Sequence, residues 1–208
     1  MSDPDQWLAM LSATDPERGD NDPLRAAILD AARTEFELVG VRRANVGEIA
    51  RRAKVSRQTL YRRFQDKDSL VAAVGMAEVQ MAAGKVRDAT AGFDDPTDIV
   101  AEAIVTVTRG IREHILLNRL RETEPEALYY FTSTHGPLIL ALTRGIISEH
   151  LLESNAPAGD VTIHAELLAR LLISLVLIPD GLIPVDDEAA MREFARNHLL
   201  PQPLPDAG

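Results

Sequence analysis

From Leu24 to about residue 198 the apolar side chains of this chain recur at spacings of three and four, and no alternating run of β-branched residues is bounded by hairpin signals. The first rhythm lays a stripe along a helix and the second is what a strand would need, so the pattern confines the chain to an all-α fold. Pro23 precedes Leu24, Ile28, Ala31, Ala32, Phe36 and Val39, which share one face of a first helix that stops at Gly40. Asn45 is placed to cap a second, short helix whose Val46, Ile49, Ala50 and Ala53 face inward. After a break at Lys54-Val55, Ser56 can cap a third helix, RQTLYRRF, in which Leu60 and Phe64 stand four apart on the core side. A fourth helix begins near Asp66 and Lys67 and runs to about Ala91.

Downstream, helical patterns recur at about 97–117, 125–134, 137–153, 161–178 and 187–198, with Pro125, Pro137, Pro157, Pro179 and Pro184 between them or at their starts. The segment VTIHAELLARLLISLVLI is apolar on nearly every face, so it must be buried on several sides. With the Leu- and Ile-rich segment before it, it forms a pair that can meet a symmetry mate as a four-helix bundle. Burial of both helices in the core of one subunit is the alternative, and the pattern leaves both open.

Charge decides where a partner would bind. The formal net charge of −10 argues against a polyanion, but Leu24 to Lys67 holds eleven Lys or Arg against five acids. That segment carries +6 and the remainder −16, the asymmetry of a polyanion-binding module joined to an acidic body. The first 23 residues are rich in Asp, Pro and Gly and lack a basic start or a sustained apolar stretch, so they are read as a disordered acidic tail rather than a signal peptide. The absence of cysteine fits a reducing compartment, and the longest apolar run, Leu171 to Ile178, is too short to cross a bilayer, so a cytoplasmic location is expected.

Enzyme signatures are missing. The histidines at 114, 135, 150, 164 and 198 are dispersed, no HExxH pair occurs, and there is no GxSxG elbow, phosphate loop or dinucleotide fingerprint. No catalytic residue, metal or cofactor is expected. Helices two and three, with the first packed across both, instead meet the needs of a helix-turn-helix reader. The major groove, about 12 Å wide, admits one helix, and Arg57, Gln58, Thr59, Tyr61 and Arg62 supply donors on the outer faces of the third. A helical module binding an acidic protein partner is the rival reading, and salt-sensitive, sequence-selective DNA binding separates the two.

The stretch VGEIARRAKVSRQTLYRRFQDKDSLVAAV resembles the DNA-binding signature of the tetracycline-repressor (TetR) family of regulators. The likeness rests on Ile49-Ala50, Val55-Ser56, Thr59-Leu60-Tyr61, Phe64, and Lys67 followed by Leu70; with helix one it covers roughly residues 24 to 72, about a quarter of the chain. It implies a homodimer that represses genes and leaves a palindromic operator when a small molecule enters the C-terminal domain. Carried over by position, it implies base reading by Arg57, Gln58 and Arg62, DNA-backbone contacts by Thr59, Tyr61 and Lys67, and a phosphate held at Asn45. The chain departs from the family pattern at Asn45, where threonine is common, at Gly47, where a longer side chain is common, and at Arg63, where histidine is common and the arginine adds charge for phosphate.

The resulting expectation is a tail over 1–23, a helix-turn-helix DNA-binding domain over 24–70, a helical effector-binding and dimerisation domain over 71–200, and a short tail over 201–208. The dimer is expected through the helices near 137–153 and 161–178. For the effector the body offers many aliphatic side chains with Arg109, His114, Tyr130 and Phe131 as candidate contacts, which suits a lipophilic molecule. Ordinary cores share that composition, so packing roles for these four remain open.

Overall fold

The computed structural model describes residues 22–153 and 160–199. Apart from Asp22 and Pro23, the two tails expected at the chain ends lie outside them. Regular structure among the described residues is helical throughout: α1 (Pro23–Val39), α2 (Val46–Arg52), α3 (Arg57–Arg63), α4 (Lys67–Thr90), α5 (Pro96–Glu113), α6 (Ile115–Thr123), α7 (Pro125–Glu153), α8 (Val161–Leu177) and α9 (Glu188–Phe194), with a π-helical turn at Ala195–Leu199. The chain forms two compact units, one joining the residues up to Glu78 with Asn118–Ala141, the other joining Val79–Leu117 with the residues from Leu142 on.

In the first unit each short helix is delimited by a cap that its sequence supplies. The Asp22 carboxylate accepts from the N–H groups of Leu24 and Arg25 at 3.0 and 3.4 Å, and Pro23 occupies the first helical position, where its missing N–H costs nothing. Helix α1 ends on Gly40 at φ 85°, ψ 164°, a conformation open essentially to glycine alone. Asn45 Oδ1 caps α2 by accepting from Gly47 N–H at 2.8 Å, and Ser56 Oγ caps α3 by accepting from Thr59 N–H at 3.0 Å. Between α2 and α3, Lys54 is left-handed at φ 57°, while Val55 N–H donates to Ala50 O at 2.9 Å and Lys54 N–H to Arg51 O at 3.1 Å. This is a Schellman stop, usually built on glycine, and it makes the turn of the helix-turn-helix. Ile28, Ala32, Phe36, Ile49, Leu60 and Leu70 are almost wholly withdrawn from solvent.

Two downstream helices differ from the sequence expectation. The pattern over 97–117 breaks at His114, which ends α5 in extended backbone and whose Nδ1 accepts from Leu117 N–H at 3.3 Å, starting α6. The segments expected at 125–134 and 137–153 are one helix, α7, with Pro137 inside it. Proline there removes the bond to the Ser133 carbonyl, but Gly136 before it has no Cβ to crowd the ring, and two long flanks carry the helix through.

The second unit is built on a cluster of Val100, Ala101, Ile104 and Val105 from α5, Leu151 from α7, Ala165, Leu168 and Leu172 from α8, and Met191 from α9. Ion pairs tie its edges: Arg192 to Glu102 at 2.6 Å, Arg196 to Asp98 at 2.5 Å and Arg144 to Glu166 at 3.3 Å.

Candidate nucleic-acid interface

The seven residues of α3 divide cleanly by face. Leu60 is 1% exposed, and with the following Phe64 it anchors the helix on the core. Arg57, Gln58, Tyr61 and Arg62, at i, i+1, i+4 and i+5, are all exposed and share the opposite face, with Tyr61 at 48%. Thr59 is half-buried, its hydroxyl 2.9 Å from Ser56 Oγ within the cap.

Three groups hold this helix pair in place. Glu35, on the buried face of α1, reaches Asn45 N–H at 3.5 Å and Arg52 Nε at 3.4 Å, so one carboxylate grips both ends of α2. Lys67 Nζ donates to the carbonyls of Arg42 at 3.0 Å and Ala44 at 2.9 Å, tying the start of α4 to the turn before α2. Burial holds the Lys67 ammonium below the usual lysine value, with the Glu124 charge acting in the other direction. Arg63 pairs with Asp22, and the Arg25 guanidinium lies 5.9 Å from the centre of the Phe64 ring.

The cations sort by partner. Arg33 pairs with Glu37 and Glu78, Arg42 with Glu126, Arg51 with Glu48, Arg52 with Glu35 and Glu48, and Arg63 with Asp22. The hydrogen bond from Arg51 holds the Glu48 carboxyl below its ordinary range. Between Leu24 and Lys67, Arg43, Lys54, Arg57 and Arg62 have no carboxylate partner among the described residues, and all four are exposed. They lie on α3, on the turn before it, or on the turn before α2. A surface that keeps its cations unpaired leaves their charge and donors available to an external anion.

A corner far along the sequence braces the same unit. Glu124, only 6% exposed, accepts from Arg42 N–H at 3.0 Å, and a Cβ on Gly40 would fall 2.8 Å from its Cδ. Glu126 Oε1 meets Arg42 Nη1 at 2.7 Å. On α7, Tyr130 OH donates to Asp68 Oδ2 at 3.0 Å, and the Phe131 ring covers Gly75 so closely that a Cβ there would lie 3.2 Å from Cε1.

Of the eight residues expected at DNA, the structure therefore presents Arg57, Gln58, Tyr61 and Arg62 outward together. Asn45, Thr59, Arg63 and Lys67 also have partners within the protein. The four expected effector contacts fall in different units: Arg109, paired with Glu188 at 3.4 Å, and His114 in the second, Tyr130 and Phe131 in the first. On α8, Ile163 and Leu167 are 57% and 60% exposed, opposite the buried Leu168 and Leu172. Glu35 and Glu124 were not singled out from the sequence. Glu35 carried a signal, an acid falling in step with the apolar stripe of α1, whereas Glu124 had none.

Residues 28–74 match the sequence model for bacterial regulatory proteins of the tetR family. The chain is similar to an uncharacterized HTH-type transcriptional regulator of Mycobacterium tuberculosis, 26% identical over 80% of this chain and 81% of that protein. It is also similar to one of Mycobacterium bovis, 29% identical over 79% and 86%. Its fold is shared with the TetR family repressor AlkX from Dietzia sp., implicated in biodegradation of n-alkanes, with a TM-score of 0.67, 24% identity, and coverage of 84% of this chain and 95% of that one.

Proposed function

We propose that this chain, similar over residues 28–74 to bacterial regulatory proteins of the tetR family, is a helix-turn-helix transcriptional regulator, a cytoplasmic repressor that a small apolar or amphipathic ligand releases from a palindromic operator. The observation that carries the DNA-binding part is the outward row of Arg57, Gln58, Tyr61 and Arg62, flanked by the unpaired Arg43 and Lys54. Arginine can bond guanine and glutamine adenine through two contacts each, so Arg57, Gln58 and Arg62 are assigned to base edges. Tyr61 and Thr59 go to phosphates, with Asn45, Arg63 and Lys67 at the margins of the footprint. Lys67 and Arg63 reach a phosphate only by sharing or exchanging their present partners.

In this reading residues 24–70 are the DNA-binding domain and 71–200 the effector-binding and dimerisation domain. A homodimer is supported by the exposed Ile163 and Leu167 on α8, apolar groups a lone subunit leaves in water. Two α3 helices then address half-sites spaced by about 34–36 Å or a multiple. A ligand lowers affinity only by preferring the conformation with the wrong span. AlkX is implicated in biodegradation of n-alkanes, so n-alkanes are the first ligands to try, with Arg109 and His114 of the second unit as candidate contacts.

The test is selection from random duplexes followed by anisotropy titration, comparing wild type with Tyr61→Ala and Arg62→Ala. A palindromic consensus, weakened by both substitutions, supports the reading. Failure of wild type to select any sequence at low salt refutes it and transfers the basic surface to another partner.

A further inference from the structure

We propose that Gly47 is a specificity-determining residue of this reading head: its missing side chain is the seat of the Arg57 guanidinium, and so decides which base pair Arg57 meets. The proposal rests on the assignment of α3 as the recognition helix. Arg57 opens α3, yet its side chain lies back across the first turn of α2. A Cβ built on Gly47 would fall 2.6 Å from both Arg57 Cζ and Nε and would also overlap Nη2. No alanine can occupy position 47 while Arg57 stays where it is.

The backbone gives no other reason for glycine at this position. Gly47 is helical, and among the described glycines the positive φ that demands glycine is found at Gly40 instead. Within a helix, glycine is less favourable than alanine. Nor does an ion pair draw Arg57 to α2, because the neighbouring Glu48 is engaged by Arg51 at 3.0 Å and Arg52 at 3.5 Å. Arg57 has no acceptor among the described residues, so its five N–H donors are aimed by shape alone and remain unengaged. A side chain at 47 must swing the guanidinium off α2 and out along α3. Moving the head of so long a side chain by a few ångströms is comparable to one base-pair step, roughly 3.4 Å along the duplex. Reading therefore changes at the one position in each half-site that Arg57 meets.

The experiment selects operators from random duplexes with wild type, Gly47→Ala, Arg57→Ala and the double variant, and melts all four. Gly47→Ala is expected to melt no lower than wild type, to bind the wild-type operator about tenfold more weakly, and to select a different base where Arg57→Ala loses preference. The double variant should behave like Arg57→Ala alone. The proposal is overturned if Gly47→Ala keeps the wild-type consensus and affinity, or if the double variant multiplies the two single losses. A melt lowered by more than a few degrees also overturns it, because the guanidinium would then be fixed in place and not a reader free to turn. If wild type selects nothing, the recognition-helix assignment itself fails, which the wild-type arm reports separately.

Discussion

Gly40→Ala probes how far the corner of α6 and α7 supports the DNA-binding helices, and its cost follows from two separate features of the structure. A non-glycine residue held at φ 85°, ψ 164° loses about 1–3 kcal/mol. The new methyl would also evict the Glu124 carboxylate, whose Cδ lies 2.8 Å from that Cβ position. Arg42 N–H would then lose a part-buried bond to a charged acceptor, worth about 1.5–3 kcal/mol. The expected loss is about 2.5–6 kcal/mol, a large share of a total stability of about 5–15 kcal/mol. Glu124→Ala incurs only the second part, about 1.5–3 kcal/mol. Since Gly40→Ala has already displaced that carboxylate, the double variant should fall short of additivity by about the same amount. Urea unfolding followed by circular dichroism at fixed protein concentration measures all three, with the midpoint moving at constant slope. A Gly40→Ala loss below about 1 kcal/mol would refute the strain and the overlap together. Full additivity would show that Glu124 and Gly40 act by unrelated routes.

Lys54→Gly should raise the melting temperature by about 2–4 °C, because left-handed backbone at φ 57° costs a side chain roughly 1 kcal/mol, and should lower the salt dependence of operator binding by about 0.9 per subunit. A slope equal to wild type would show that Lys54 meets no phosphate. Leu167→Glu puts a charge on the exposed face of α8 and should yield monomers in sedimentation with much weaker operator binding; a stable dimer would place the interface elsewhere. Burial holds His150 below the ordinary histidine value, with Glu153 opposing and Arg87 adding to the shift. A depressed folded pKa means stability present above about pH 6.5 and lost as pH falls toward the folded value, so His150→Gln should flatten thermal melts across that window. An unchanged profile would assign acid sensitivity to other groups.

Much of the reading head was legible because its signals are local. Caps at Asn45 and Ser56, the stripe from Ile28 to Phe36, and the Leu60/Phe64 pair each lie within one or two helical turns of what they determine. The same reasoning failed at Pro137, where a breaker is carried by long flanks, and at His114, where a side-chain cap divides a continuous stripe. Neither outcome depends on propensity alone. The outward face of α3 followed from period, but which cations stay unpaired did not, because pairing joins residues such as Arg42 and Glu126 that stand 84 positions apart. Gly47 could be noted in the sequence but not interpreted, since its meaning lies in a side chain that arrives from another helix.

The brace formed by Glu124, Glu126, Tyr130 and Phe131 bears on how this protein can be taken apart and recombined. A fragment cut after α4 would keep every residue assigned to DNA yet uncover Gly75 and the Arg42 amide and leave Asp68 without the Tyr130 hydroxyl. Grafting the N-terminal helices onto another body, or other helices onto this one, therefore means transplanting residues 118–141 along with them. Chimeras joined at a single seam within α4 would pair a native reader with a foreign brace. Their operator affinity would then vary with the donor of that corner as well as with the recognition helix.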